Sequence, residues 1–155
     1  MLPEQGLQFF RKLPAVLIDR IGVYTINQKI NGKKEGVWKE WWENGQLWYE
    51  KHYKEGKRHG ISKEWFNNGQ LVKDEYCKEG QLHGICKRWL DNGQLKYEHY
   101  YKEGKPHGIC KRWFDNGQLK YEGHYKEGKK HGICKRWWPD GQLDYEIHWK
   151  EGKLV

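Results

Sequence analysis

The sequence predicts an all-β fold: an elongated, single-layer, twisted antiparallel sheet of tandem β-hairpins with a short N-terminal cap. Three observations lead to this prediction. A 24-residue unit repeats five times in phase over about residues 33–152. Each unit contains two turn signals centred on glycine. The segments between the turns are about eight to ten residues long and rich in Trp, Tyr and Ile, as expected for strands.

The N-terminal segment, residues 1–22, is the predicted cap or a degenerate repeat, and residues 23–155 form the predicted hairpin array. The stretch RKLPAVLIDRI at 11–21 allows two structures. It forms either a degenerate first strand or a short helix that begins near Pro14 and covers the apolar edge of the sheet. Because repeat arrays usually carry terminal caps, the capping role is favoured.

The array is predicted to begin with the stretch VYTINQKING at 23–32, which aligns with the second half of a repeat. Its Asn31-Gly32 pair is a turn signal. We therefore expect a strand over about 23–30 that pairs with a strand over about 33–42. With two strands from each of the five repeats, the sheet should contain about eleven strands.

Each repeat has two turns of different composition. The first reads ENGQ, NNGQ, DNGQ or PDGQ. Its Asn-Gly or Asp-Gly pair predicts a two-residue type I′ turn, in which both central residues have positive φ. The second turn reads KEGK or KEGQ. Its type stays open, because glutamate is a poor residue at positive φ.

The register of the hairpins follows from the first turn. A two-residue loop at Asn116-Gly117 places Phe114 opposite Leu119, and it places a lysine opposite an acidic residue in every repeat. A shift of one residue would remove all of these pairs, so their agreement supports the register although each pair adds little free energy. The predicted pairs are Lys39–Glu50, Lys63–Asp74, Lys87–Glu98, Lys111–Glu122 and Lys135–Glu146.

Alternation along the strands gives the sheet two faces, and equivalent residues of successive repeats stack in columns about 10 Å apart. In the fourth repeat, the predicted face one carries Gly108, Cys110, Arg112, Phe114, Leu119, Tyr121, Gly123 and Tyr125. The predicted face two carries Ile109, Lys111, Trp113, Lys120, Glu122 and His124. The second repeat departs from this pattern, because it puts Lys73 and Glu75 on face one. It is predicted to be a weak spot, a bulge or a place where another element covers the sheet.

The stretch NGQLKYEGHYKEGKKHG at 116–132 resembles the MORN repeat in its variant form, and the resemblance extends over about 33–155. The resemblance implies an elongated, twisted antiparallel sheet in which each hairpin contacts only its neighbours. It also implies a mostly non-enzymatic scaffold, since MORN proteins bind other proteins, self-associate or are linked to phospholipid membranes. The variant form is common in bacterial proteins labelled as antitoxins and in giant DNA viruses. A structural component of a giant-virus particle is therefore one role that the resemblance implies.

Cysteine and histidine recur in the stretch HGICKRW at 83–89, 107–113 and 131–137, but their spacing does not favour chemistry. Equivalent thiols lie about 10 Å apart in the predicted sheet, whereas a disulfide needs Cα atoms within about 7 Å. The histidines are likewise too far apart to share one metal ion. His107 and Cys110 point to opposite faces of an extended strand. We therefore expect a protein that is not an enzyme, with no catalytic residue, metal or cofactor.

The composition is polar, with 36% hydrophobic and 32% charged residues, yet 15% of the chain is aromatic. So many large rings are not typical of a disordered chain. The formal charge of +8 suits an acidic partner, but basic and acidic residues are interleaved, so nucleic acid is not the expected partner. The sequence shows no C-x-x-C pair, signal peptide or long apolar run. A protein of the cytoplasm, a reducing compartment, or of a virion is expected.

Face one carries the candidate binding residues. Its aromatic columns form a semi-apolar surface for a protein partner or a second copy. Its arginine column is a candidate anion site in the C-terminal half, because Glu40 and Glu64 occupy this column in the first two repeats. The candidate partner-binding residues are Trp42, Phe66, Leu90, Phe114, Trp138, Tyr97, Tyr121 and Tyr145. The candidate anion-binding residues are Arg88, Arg112 and Arg136.

The last strand, about 143–150, is predicted to expose an open edge, and open edges invite strand addition. We therefore expect end-to-end association of copies or docking onto the sheet of another protein. The predicted function is a non-catalytic scaffold for protein–protein interaction or assembly through the aromatic face and the open edge. The alternative is peripheral binding to an anionic phospholipid membrane through the arginine column.

Overall fold

The computed structural model describes residues 16–19 and 22–155, and these residues have the predicted all-β fold. Their strands are β1 (Val16–Asp19), β2 (Gly22–Thr25), β3 (Gln28–Ile30), β4 (Lys33–Trp41), β5 (Leu47–Lys54), β6 (Lys57–Trp65), β7 (Leu71–Lys78), β8 (Gln81–Leu82), β9 (Gly84–Trp89), β10 (Leu95–Lys102), β11 (Lys105–Trp113), β12 (Leu119–Lys126), β13 (Lys129–Trp137), β14 (Leu143–Lys150) and β15 (Lys153–Leu154). Strands β1 and β2 form a two-stranded sheet, and the others form one antiparallel sheet of thirteen strands in hairpin order.

The sheet has thirteen strands instead of about eleven for two reasons. The first strand of the third repeat is interrupted at His83, which divides it into β8 and β9. The short strand β15 also pairs with the end of β14. Neither difference changes the order of the hairpins.

The N-terminal region differs from the prediction at Asn27, which has a φ of 58°. This residue divides the predicted strand over 23–30, so β2 pairs with β1 and only β3 pairs with β4. Asn31-Gly32 forms the predicted turn, with φ values of 50° and 76°. Within the predicted cap, the backbone of Val16–Asp19 is a strand. The helix considered near Pro14 falls outside the described residues.

The side chain of Asn27 takes the place of a neighbouring strand at the outer edge of β4. Its Nδ2 donates to the carbonyl of Lys39 at 2.9 Å, and its Oδ1 accepts from the Lys39 N–H at 2.8 Å. The Asn27 N–H donates to the carbonyl of Val37 at 2.9 Å. These bonds satisfy edge groups that would otherwise be open to another strand.

The register of the five hairpins is the predicted one across their middle. Every predicted lysine lies opposite its acidic partner. The closest distances from Nζ to a carboxylate oxygen are 2.8–3.5 Å. The charge pattern therefore located the strands correctly.

The prediction of a two-residue type I′ turn at the first turn of each repeat is wrong. Gly117 has a φ of 84°, but the φ of Asn116 is not positive. The Gly117 N–H donates to the Phe114 carbonyl at 2.9 Å, and the Phe114 N–H donates to the Gln118 carbonyl at 2.8 Å. This is a three-residue loop, a type I turn followed by a left-handed glycine. Asparagine suits it because its Oδ1 accepts from the Gln118 N–H at 3.1 Å, not because it tolerates positive φ.

The longer loop changes the faces of two residues. Trp113, not Phe114, pairs with Leu119, and a bulge follows at Lys120. Lys120 lies on face one, where its Nζ is 5.1 Å from the centre of the Phe114 ring. The predictions that put Leu119 on face one and Lys120 on face two are therefore wrong. Beyond the bulge the predicted register returns, because the bulge compensates for the longer loop.

The Glu-Gly pairs form the turns with two positive φ angles. Glu127 and Gly128 have φ values of 49° and 83°, and the other four pairs are similar. A second irregularity follows the first four of these turns. Between the pairs His99–Cys110 and Tyr101–Pro106, three residues of β11 lie opposite one residue of β10. The middle one, Gly108, has a φ of 71°, which favours glycine there.

The buried side chains lie on face one. Between residues 26 and 155 they are Tyr49, Ser62, Glu75, Cys77, Cys86, His99, Cys110 and Cys134. A single-layer sheet has no second layer to cover it, so this one-sided core is small and partly polar. The two faces therefore differ in how much of their surface remains free for a partner.

Candidate interaction surfaces

The predicted partner-binding residues lie on face one, where they pack within the sheet. Trp42, Phe66, Leu90, Phe114, Tyr97, Tyr121 and Tyr145 are half-buried, whereas Trp138 is 49% exposed. The Trp42 ring lies 5.0 Å from the Trp48 ring, and its Nε1 donates to the Trp65 carbonyl at 3.0 Å. Partner binding by these residues stays a prediction. Their contacts show that part of the apolar area of face one is already used by the fold.

Tyr121 illustrates this packing. Its hydroxyl lies 3.0 Å from the Tyr125 hydroxyl and 3.4 Å from the Cys134 Sγ. To reach them the ring crosses Gly123, where an added Cβ would collide with the Tyr121 side chain. Burial and these hydrogen bonds raise the pKa of Tyr121 well above its ordinary value, so the hydroxyl stays neutral at neutral pH.

The predicted anion-binding arginines are all exposed, but their surroundings differ. Arg136 Nε lies 3.4 Å from a carboxylate oxygen of Asp144. Arg112 Nε donates to His99 Nε2 at 3.4 Å. Within the described part of the chain, no carboxylate oxygen lies within 4.0 Å of Arg88 or Arg112. These two guanidinium groups are therefore the better candidates for an external anion.

His99 accepts this hydrogen bond because it is neutral. It is 9% exposed and stacks on the Tyr97 ring with the ring centres 4.8 Å apart. Burial and the nearby charge of Arg112 lower the pKa of His99 to about 4. At neutral pH the imidazole therefore positions the Arg112 guanidinium and adds no charge of its own.

The bulges add two lysines that sequence reasoning missed. Lys96 and Lys120 occupy the bulge positions of the third and fourth repeats, and both are exposed. Together with Arg88 and Arg112 they form the basic patch of face one. Only recognition of a three-residue loop could have placed the lysines there, and an Asn-Gly pair is compatible with both loop lengths.

Face one of the second repeat holds a network of charged side chains instead. Glu75 is only 5% exposed, and its Oε1 lies 2.7 Å from Arg58 Nη1 and 3.4 Å from Lys73 Nζ. Glu64 lies 3.1 Å from Lys73 and 3.0 Å from Lys51. Burial opposes the ionisation of Glu64, but its bonds to the two lysines outweigh it and hold its pKa below the ordinary value. Ion pairs among these side chains therefore occupy face one of the irregular second repeat.

The cysteines are suited to packing. All four are free and buried. Burial and the nearby Glu75 carboxylate raise the pKa of Cys86 to about 11, and burial also raises the pKa of Cys77 and Cys110. A shielded, protonated thiol is a poor nucleophile and metal ligand. Among the residues that the structure describes, no group of three or more His, Cys, Asp or Glu could hold a metal ion.

Face two carries a continuous apolar surface that sequence reasoning did not select. Its members come from β6, β7, β9, β10 and β11. They are Ile61 (44% exposed), Tyr76 (42%), Ile85 (54%), Tyr100 (38%) and Ile109 (46%). These five residues are the Ile–Tyr stripe. The sequence places them on face two, but their exposure follows from the one-sided core and is not visible in the repeat pattern.

A shallow groove of about 430 Å³ lies within the Ile–Tyr stripe. It is lined by Ile85, Glu98, Tyr100, His107, Gly108 and Ile109. Gly108 contributes no side chain, and an added Cβ would lie 3.8 Å from the Tyr100 ring. The bulge at this glycine therefore leaves room beside the exposed ring.

Comparison with known families agrees with this architecture. The MORN repeat variant matches residues 34–55, 58–78, 82–103 and 106–127, which is more than half of the chain. The chain belongs to the MORN repeat family. The MORN repeat itself matches residues 121–143. Each variant match begins just after one turn with two positive φ angles and ends at or just before the next, so the MORN unit coincides with one hairpin of the array.

The family assignment supports a coarse function. MORN repeats occur in repeat scaffold proteins, which often bind protein or membrane and are generally non-catalytic. The comparison with curated proteins gives no match. In the described portion of this MORN protein, no helix is long and apolar enough to cross a membrane.

Proposed function

We propose that this MORN array is a non-catalytic scaffold that binds protein through the Ile–Tyr stripe of face two. One observation carries the proposal: five large apolar side chains, each 38–54% exposed, adjoin on one face of the sheet. Exposed apolar patches of this kind mark interaction sites. Among the strands that the structure describes, none forms a second layer over face two, so we expect a partner to cover it.

The extent of the stripe favours a protein partner over a small molecule. It crosses five neighbouring strands, which is about 20 Å along the sheet. The groove beside Tyr100 interrupts this surface and offers space for a protruding side chain. A long apolar strip with one such groove suits the surface of another protein.

The experiment compares the two faces. Purified wild-type array is used to capture proteins from an extract of the native source, in parallel with Ile85→Arg on face two and Trp138→Arg on face one. Both residues are about half exposed, so both variants should fold. Ile85→Arg should lose the captured protein and Trp138→Arg should keep it. The reverse result would contradict this assignment and would favour the predicted aromatic columns of face one.

A second candidate function is peripheral binding to an anionic membrane, and the basic patch favours it. Arg88 and Arg112 lack a carboxylate neighbour in the described structure, and Lys96 and Lys120 lie at the adjacent bulges. Basic residues of this kind are attracted to anionic lipid headgroups over short range.

Vesicle flotation tests this second candidate. Phosphatidylserine vesicles should bind the chain, and phosphatidylcholine vesicles should not. Arg112→Gln should weaken the binding, whereas Arg136→Gln serves as the matched control because Arg136 already pairs with Asp144. Equal losses in the two variants, or binding that ignores lipid charge and salt, would rule out the patch.

Two other predicted roles remain predictions. One is docking at the edge of β14, which β15 covers only at Trp149 and Lys150. Hydrogen exchange of the remaining β14 amides, with and without a partner, would measure this role. The other is a structural part of a virus particle, which rests on the family resemblance alone.

A further inference from the structure

Face two carries a second feature beside the Ile–Tyr stripe, a ladder of lysines that alternate with acidic residues. The ladder consists of Lys39, Glu50, Lys63, Asp74, Lys87, Glu98, Lys111, Glu122, Lys135 and Glu146. Neighbouring strands are about 4.8 Å apart, so the sign of charge changes with every such step. The ladder is neutral as a whole, although the chain carries a formal charge of +8.

We propose that two copies of the chain dimerise face to face through the Ile–Tyr stripe and the ladder, with the arrays antiparallel. The two-fold axis runs parallel to the strands, between β9 and β10. This inference rests on the proposed function and names a second copy as the partner.

The position of the axis follows from the order of the strands. It sets Ile85 opposite Tyr100 of the partner subunit, and Tyr76 opposite Ile109 of the partner subunit. It also sets Lys87 opposite Glu98 of the partner subunit. Every other ladder residue likewise meets an opposite charge, because the ladder alternates and the axis lies between two strands.

The ladder rejects the other face-to-face arrangement. A two-fold axis that runs along the array through the ladder would place each lysine opposite the same lysine of the partner subunit, and like charges in direct opposition are unfavourable. An axis that runs through the apolar stripe would instead move the ladders of the two copies apart, so their charges would have no partner across the interface. Charge complementarity therefore selects the antiparallel arrangement.

A second copy fits this surface better than an unrelated protein does. The apolar and charged groups of a second copy have the same strand spacing, and the same repeat of about 10 Å, as those of the first copy. Contacts between the two copies can therefore continue along the array. The stripe exposes on the order of 400 Å² of apolar surface, which the ladder extends on one side. The stripe alone is smaller than the interfaces of stable complexes, which bury at least about 600 Å² per partner, so the dimer should be weak and reversible.

Sedimentation velocity over a range from about 1 μM to 1 mM tests the association. The wild-type chain should shift from 18.8 kDa to twice that mass. Ile85→Arg should weaken the dimer at least tenfold, whereas Trp138→Arg on face one should leave it unchanged. A wild-type chain that stays monomeric, or a dimer lost only in Trp138→Arg, would overturn the proposal.

A charge exchange tests the register. Lys87→Glu and Glu98→Lys should each dimerise poorly alone and should associate when mixed, because each restores an opposite charge across the axis. Thermal unfolding of each variant confirms that it is folded before mixing. Failure of the mixture to associate would overturn the antiparallel register.

Labels on the turns test the direction of the arrays. Glu43 and Pro139 are exposed at equivalent turns of the first and fifth repeats, and the four native thiols are buried. Spin labels on Glu43→Cys chains should lie close to labels on Pro139→Cys chains when the two are mixed. A mixture that sediments as a dimer but shows no close pairs between the two labels would overturn the antiparallel arrangement.

The outcomes separate this inference from the proposed function. A wild-type chain that stays monomeric but captures a different protein, which Ile85→Arg fails to capture, overturns the dimer and leaves the proposed function standing. A dimer that is insensitive to Ile85→Arg, together with unchanged capture by that variant, overturns both.

Discussion

The second and fourth repeats of this MORN array share the same hairpin backbone but bury different side chains on face one. On face one, the second repeat buries the Glu75 carboxylate among cationic side chains. The fourth repeat has Gly123 in the same column, covered by Tyr121. On face two, both repeats carry the same lysine–acid pair. The turns and face two are therefore enough to define the hairpin. Face one accepts either charged or aromatic side chains, provided that its buried polar groups have hydrogen-bond or ion-pair partners.

The largest expected effect on stability comes from disrupting the ion pairs on face one of the second repeat. Glu75→Gln removes the charge that Arg58 and Lys73 share. Arg58 loses its carboxylate partner, and Lys73 keeps only Glu64. The free energy of unfolding should therefore fall by about 2–4 kcal/mol, less than the usual loss for a fully buried pair because Arg58 is partly exposed. Urea denaturation measures the change.

The matched control for this variant lies next to it in the sequence. Asp74→Asn removes a more exposed carboxylate, 3.5 Å from Lys63 on face two. Its cost should be less than about 1 kcal/mol, as for other exposed pairs. Equal losses in the two variants would show that the interior network is no more important than a surface pair.

The next largest effect on stability comes from disrupting the packing on face one of the fourth repeat. The backbone of Gly123 is extended, so alanine is allowed there, but its Cβ would collide with Tyr121. Gly123→Ala should therefore cost about 1–3 kcal/mol, the usual range for overpacking. In a Tyr121→Leu background the ring is gone, and the same substitution should cost much less. A loss of the same size in both backgrounds would place the cause elsewhere.

His99, in the third repeat, should make stability depend on pH. In the unfolded chain histidine binds a proton below pH of about 6.5, whereas burial and Arg112 lower the pKa of folded His99 to about 4. Between these values the unfolded state binds more protons, so the free energy of unfolding should fall as pH decreases from 7 to 4. The part due to His99 should reach about 2 kcal/mol near a pH of about 5.

His99→Gln isolates this contribution, because glutamine can accept the Arg112 hydrogen bond but does not titrate. The difference in unfolding free energy between wild type and variant should be constant above pH of about 6.5. As the pH decreases further, the wild type should lose stability relative to the variant. Parallel pH profiles would show that His99 titrates normally in the folded protein.

The sequence predicts the hairpins well because independent signals agree. The repeated glycines define the period, and the lysine–acid pairs identify the register from residues such as Lys111 and Glu122. A wrong loop length at Asn116-Gly117 did not disturb this register, since the bulge at Lys120 restored it. The family also follows from this pattern, because the matched units are the hairpins themselves.

The surfaces could not be predicted to the same extent. An Asn-Gly pair fits both a two-residue and a three-residue loop, so the face of Lys120 was assigned wrongly. Partner binding by aromatic columns such as the one with Phe114 stays a prediction, because composition does not reveal what already packs against their rings. The exposure of Ile85 and Tyr100 depends on which face the folded sheet buries, and alternation alone treats the two faces alike.

The smallest expected effect tests the part that the two repeats share. Lys63→Met and Lys111→Met each remove one ladder pair while keeping most of the side-chain stem on face two. Because the pairs are similar and partly exposed, each substitution should cost about 0.2–1 kcal/mol in low salt and less in high salt. Urea denaturation of both variants at two salt concentrations measures this. If Lys63→Met costs much more than Lys111→Met, the ionic interior of the second repeat is coupled through the sheet to face two. Equal losses of unfolding free energy mean that the ladder pairs do not depend on the side chains of face one. This independence allows the same backbone to carry two different sets of buried side chains.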